Sequence, residues 1–189
     1  MEILKLKITG TAPLMMHADT FANPLHPATK AHKELTSIRK KSDEVHEAIA
    51  KSEFIGGCYW SEDVGFYIPG ANLDATFLAG AKLSRLRTHW KRGALVVTDK
   101  AKLIFDGPKN PEKLWEVADF VDCRGVKVGA AKIMRYRPVF RDWAVEADVA
   151  INTDVLNINE AKKSIEDAGA LIGTCEYRPR FGRFGVSYG

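Results

Sequence analysis

Residues 142–172 read DWAVEADVAINTDVLNINEAKKSIEDAGALI. Trp143, Val145, Ala147, Val149 and Ile151 alternate with Ala144, Glu146, Asp148 and Ala150, the period-two pattern of a strand that buries one face. Asn157 with Glu160 three residues on resembles a capping box, and Ala161, Ile165, Ala168 and Ile172 give the helix that follows one apolar stripe, which Gly173 stops. A half-buried strand followed by a one-sided helix fits a helix packed on one face of a sheet.

The same pattern appears upstream. Ile3, Leu4, Leu6 and Ile8 interleave with Lys5, Lys7 and Thr9, which predicts a first strand closed by Gly10. Asn72 is placed to cap a helix over 72–90 whose apolar side holds Leu73, Phe77, Leu78 and Ala81. Residues 94–97 and 102–105 are strand material around a polar kink, and 183–188 supply a last strand. Strand, helix (72–90), strand, strand (142–152), helix (158–172), strand is the βαββαβ order of an α+β, ferredoxin-like or RRM-like antiparallel sheet. Residues 28–54 carry Ala31, Leu35, Ile38, Val45 and Ile49 at helical spacing and read as a helical insertion after strand one, within a single domain spanning 1–189. A short hairpin is expected at 58–67, a short helix or strand at 114–121, and two strands joined around Gly129 at 124–141.

Composition bounds the function. Hydrophobic residues make up 46% of the 189 and charged residues 28%, enough for a sizeable core. A formal charge of +4 is only mildly basic, so bulk charge alone does not argue for nucleic acid. Its distribution says more: residues 124–141 hold six Lys/Arg and residues 82–92 hold five, with no Asp or Glu in either block. Cys58, Cys123 and Cys175 form no CxxC pair, which indicates neither a zinc knuckle nor a disulfide framework and fits a reducing compartment. No apolar run approaches the roughly 18 residues of a membrane span, and MEILKLKITG lacks a signal peptide's apolar centre, so a cytoplasmic protein is expected. His17, His26, His32 and His46 match no standard ligand spacing; no metal and no other cofactor are expected.

Chemistry concentrates at the C-terminal end, LIGTCEYRPRFGRFGVSYG (171–189). Glycines there alternate with Arg178, Arg180 and Arg183, and Tyr177, Phe181, Phe184 and Tyr188 stand between them. Glycine lets a backbone approach a ligand closely, arginine meets phosphate with a planar fork, and aromatic faces stack on bases. The ribbon at 124–141 adds Lys127, Lys132, Arg135 and Arg137 beside Tyr136, a second basic and aromatic mixture suited to a single strand. The guanidinium groups of ribbon and tail are expected to line a common surface.

Two segments also carry a family resemblance. FYIPGANLDATFLAGAKL (66–83) resembles the Ile-Pro-Gly segment that opens the first helix in the repeat-associated mysterious protein (RAMP) superfamily, which includes the CRISPR effector backbone subunits. GTCEYRPRFGRFGV (173–186) is similar to that superfamily's C-terminal glycine-rich loop, and in style to small phage proteins ending in Arg-Pro-x-x-Gly-Arg-Phe. The resemblance implies a modified RRM with a thumb-like insertion and a non-enzymatic subunit that binds RNA or single-stranded DNA, assembling along the strand as a homo-oligomer or within a ribonucleoprotein. It places Pro69, Gly70 and Asn72 near a phosphate and makes Arg178, Arg180, Gly182 and Arg183 the strand-contacting loop. Asp74 departs from the pattern, standing where the CRISPR subunits usually place a lysine.

Two other functions fit the sequence. A phage or CRISPR-associated assembly subunit could use Trp60, Trp90, Trp115 and Trp143 as interface anchors. A metal-dependent endoribonuclease could use His17, Asp19 or His26 in the proline-rich loop after strand one as acid or base.

Overall fold

Alternating burial along β1 (Glu2–Gly10) sets the architecture: Leu4, Leu6 and Ile8 are buried while Ile3, Lys5, Lys7 and Thr9 are exposed. The computed structural model describes residues 1–189 and has an α+β fold of six α-helices and a mostly antiparallel sheet. The chain forms two compact units, one of Met1–Met15, Trp60–Asp106 and Phe140–Gly189, the other of Met16–Tyr59 and Gly107–Val139.

The elements of the first unit are β1, β2 (Leu14–Met15), β3 (Trp60–Ser61), β4 (Gly65–Pro69), α3 (Gly70–Leu83), α4 (Arg87–Gly93), β5 (Ala94–Val96), β6 (Lys100–Ile104), β9 (Ala144–Ile151), α6 (Ile158–Asp167) and β10 (Phe184–Tyr188). The sheet runs β10-β1-β9-β6-β4-β3, with β5 also paired to β9. Register follows the alternation: Ile8 of β1 stands opposite Val186 on one side and Val145 on the other. The buried side of the sheet is covered by α3 and α6, whose Leu73, Phe77, Ala161 and Ile165 are buried. Phe77 meets Phe184 at 6.4 Å and Trp90 at 5.9 Å between ring centroids, joining helices and sheet in one aromatic core. The other side of the sheet is mixed in charge: Lys5 stands opposite Asp148 and Lys7 opposite Glu146 in the register of β1 and β9.

The second unit contains α1 (Pro27–Ser37), α2 (Asp43–Gly56), α5 (Pro111–Trp115) and the hairpin of β7 (Val121–Val128) with most of β8 (Ala131–Phe140). Phe54 packs edge-on against Trp115 at 5.3 Å, and Trp115 against Tyr136 at 6.0 Å. The segment 28–54 is therefore two helices, and its unit is shared with residues 107–139.

Two expectations about the 72–90 helix change. It starts at Gly70 and breaks at Ser84–Leu86 before resuming as α4, with Arg85 at a φ of +61° inside the break. Asn72 does not cap it, because it falls in the first turn; the cap position is Pro69, which has no side-chain donor or acceptor. Asn157, in contrast, caps α6, its side chain accepting the Asn159 amide at 2.8 Å. No helix is long and apolar enough to cross a membrane.

Candidate nucleic-acid interface

The tail loop, residues 173–183, leaves a π-helical turn at Ala168–Ile172 and ends at β10. Its neck is closed by the Thr174 N–H donating to the Gly182 carbonyl at 2.8 Å. Both limbs are tied to the segment after β1: the Gly182 N–H donates to the Pro13 carbonyl at 2.7 Å and the Glu176 N–H to that of Met15 at 3.0 Å. Gly182 has a φ of +73°, and a Cβ there would lie 2.0 Å from the Thr174 carbonyl oxygen, so conformation and space both demand glycine.

From this frame Arg178, Arg180 and Arg183 extend into solvent. Arg183 Nε donates to the Pro179 carbonyl at 2.9 Å, which orients its fork on the loop. Arg178 and Arg180 make no side-chain hydrogen bond or ion pair, so their donors are not consumed within the protein. Tyr177 is 42% exposed, and the Phe181 ring meets it edge-on at 5.8 Å, bracing it from within. Tyr177, Arg178, Leu171, Ile172 and Cys175 border a groove of about 550 Å³. An aromatic face, apolar walls and unpaired guanidinium groups together can take a base and its phosphates.

The start of α3 meets this loop. Asn72 Nδ2 donates to Cys175 Sγ at 3.8 Å, so the two segments that carry the family resemblance touch each other. Burial pushes the Cys175 thiol up to about 11, against the pull of hydrogen bonds from Asn72 and Thr174 and of the nearby Arg178 charge. Pro69 and Gly70 contribute no free donor: proline has none, and the Gly70 N–H is taken by the Asp99 carbonyl at 2.6 Å. Asp74 accepts from the Trp90 indole at 3.3 Å, so this carboxylate is part of the α3–α4 packing.

The ribbon belongs to the second unit and has different electrostatics. Arg135 donates to Glu53 at 2.6 Å, Arg124 forks onto Asp122, and Arg137 is only 8% exposed. The expectation that Arg137 is displayed on an extended segment therefore fails, because it is buried, while Arg135 is part-exposed on β8 and ion-paired with Glu53. Lys127 and Lys132 stand opposite each other near the hairpin end and remain exposed, with the Lys132 stem lying over Gly125. His26 caps α1, its Nδ1 accepting the Ala28 amide at 3.2 Å, and no three His, Cys, Asp or Glu side chains come together as a metal site.

Two features escaped sequence reading. Leu171 and Ile172 become groove walls because the π-helical turn takes them off the buried stripe of α6. Glu53, which neutralises Arg135, lies 82 residues away from it in sequence and carries no local signal. No protein-family model matches this chain, and no curated protein matches it.

Proposed function

We propose that this protein binds RNA or single-stranded DNA without catalysing a reaction, and that the tail loop of the first unit is the strand site. One observation carries the reading: Arg178 and Arg180, beside an exposed and braced Tyr177, project unpaired from a loop held rigid at its neck. Phosphates would meet the arginine forks and a base would lie on Tyr177, which gives affinity with little sequence preference. The contact between Asn72 and Cys175 supports a RAMP-like arrangement, since it joins the Ile-Pro-Gly segment to the glycine-rich loop. The strand order β10-β1-β9-β6, with α3 between β1 and β6 and α6 between β9 and β10, supports the ferredoxin-like reading. An RRM's stacking platform on the sheet is not part of this reading, because the open face sets the charged residues Lys5 and Lys7 of β1 opposite Asp148 and Glu146 of β9. Assembly of copies along a strand, or within a ribonucleoprotein, would extend the loop contacts from one protomer to the next.

Fluorescence anisotropy of a labelled oligouridine or oligothymidine across a salt series tests the proposal. Affinity is expected to fall steeply between about 50 and 200 mM salt, because each phosphate contact releases a counterion. Affinity indifferent to salt, or no binding at low salt, would overturn it.

A further inference from the structure

The second unit contains a cleft of about 540 Å³ between α1, α2 and β8 that the strand-binding proposal does not use. Its volume lies within the roughly 300–1,000 Å³ of small-molecule sites. Ile49, Ile133 and Met134 give it apolar walls, and Met134 is 51% exposed although it sits on a strand. His32 supplies a flat surface. Its ring stacks on Phe21 at 4.4 Å and 19°, and its Nδ1 is fixed by Ser52 Oγ at 3.1 Å, so the imidazole borders the cleft in a held orientation. Burial lowers the His32 pKa, which favours the neutral ring over the charged one.

Polar groups sit at defined places around these surfaces. Glu53, its side chain 15% exposed, accepts from Arg135 Nη1 at 2.6 Å and from the Tyr136 N–H at 3.2 Å. A carboxylate has about four acceptor positions, so Glu53 retains capacity for a further donor. Lys41, whose Nζ donates to the Ile38 carbonyl at 2.7 Å, and Arg135, whose Nη1 is held by Glu53, bring two positive charges to the lining against the single negative charge of Glu53. The lining thus combines a flat heteroaromatic wall, apolar sides, an acceptor and a net positive charge.

We infer that this cleft binds a nucleobase together with its phosphate: the base lies against His32 and the apolar walls with an amino or imino group on Glu53, and the phosphate faces Lys41 and Arg135. The inference does not depend on the tail loop. The same chemistry can arrive as a free nucleoside monophosphate or as one nucleotide of a bound strand.

Amide chemical shifts of the full chain, titrated separately with AMP, with UMP and with a short oligonucleotide, decide the matter. Saturable shifts at residues 46–53 and 133–136 are expected. Shifts with the monophosphates assign the cleft to a free nucleotide; shifts with the oligonucleotide alone assign it to a base of the strand. Glu53→Gln should weaken binding about tenfold, and Met134→Glu, at an exposed position that leaves the fold intact, should weaken it as much by adding a like charge to the phosphate. Arg178→Ala with Arg180→Ala should leave monophosphate binding unchanged, which separates this cleft from the tail loop. No saturable shift with any of the three ligands, or equal affinity in Met134→Glu, would overturn the inference.

Discussion

Single residues in the tail loop combine strain and chemistry. Gly182 holds a left-handed φ where a Cβ would meet the Thr174 carbonyl. Gly182→Ala should therefore cost at least the roughly 1–2 kcal/mol of a left-handed L-residue, with loss of the loop's neck hydrogen bond. Urea denaturation gives the first quantity and amide exchange at Thr174 the second. Cys175 allows a second test. Its thiol is pushed up to about 11 by burial, and that of Cys58 is pushed higher still, while Cys123 is exposed. Only the thiolate is nucleophilic, so iodoacetamide at pH 8 should modify Cys123 alone in the folded protein and all three after unfolding. Folding favours the neutral thiol of Cys175. Its contribution to stability is thus complete below the ordinary thiol range and is lost as pH rises towards about 11, so the urea midpoint should decline on the alkaline side.

Elements were legible where burial alternates along a single segment. β1 shows it residue by residue over residues 3–9 and β9 as far as Val149, after which Ala150 and Ile151 are both buried, and Asn157 announces the start of α6 with its own side chain. The break between α3 and α4 was not legible, because the basic stretch around Arg85 continues a good helical composition and only the backbone turns there. The ribbon's strands were legible and its charge state was not. Residues 124–141 contain no acid, but Glu53 of α2 and Asp122 of β7 supply the carboxylates from outside that window. At this scale the contact between α3 and α6 offers a sharp test. A Cβ on Gly80 would lie 2.1 Å from the Ser164 carbonyl oxygen, so Gly80→Ala must push the two helices apart despite alanine's better helix propensity. Overpacking of this kind costs about 1–3 kcal/mol, and denaturant unfolding of the variant should show a loss in that range.

The whole chain distributes its cations between two units in unlike ways. In the second unit Arg124 and Arg135 are ion-paired with carboxylates and Arg137 is buried, so the acid-free ribbon displays fewer unpaired guanidinium groups than its sequence suggests. In the first unit three arginines stand close together on a loop whose backbone groups are bonded to one another and to residues 13–15. The tail was legible as a strand site because its glycines, arginines and aromatics are all local in sequence. Its anchoring comes from contacts with Pro13, Met15 and Asn72, which no local pattern contains, and its groove from the π-helical turn that places Leu171 and Ile172 along the wall.

Strand binding through the tail loop is tested most directly by comparing the salt dependence of oligonucleotide affinity in wild type and in the Arg178→Ala, Arg180→Ala double variant. If both forks meet phosphates, the slope of log K against log salt should shrink by about 1.4, the sum of two single-strand contacts of roughly 0.7 each, and affinity at low salt should fall at least tenfold. An unchanged slope with unchanged affinity would contradict it.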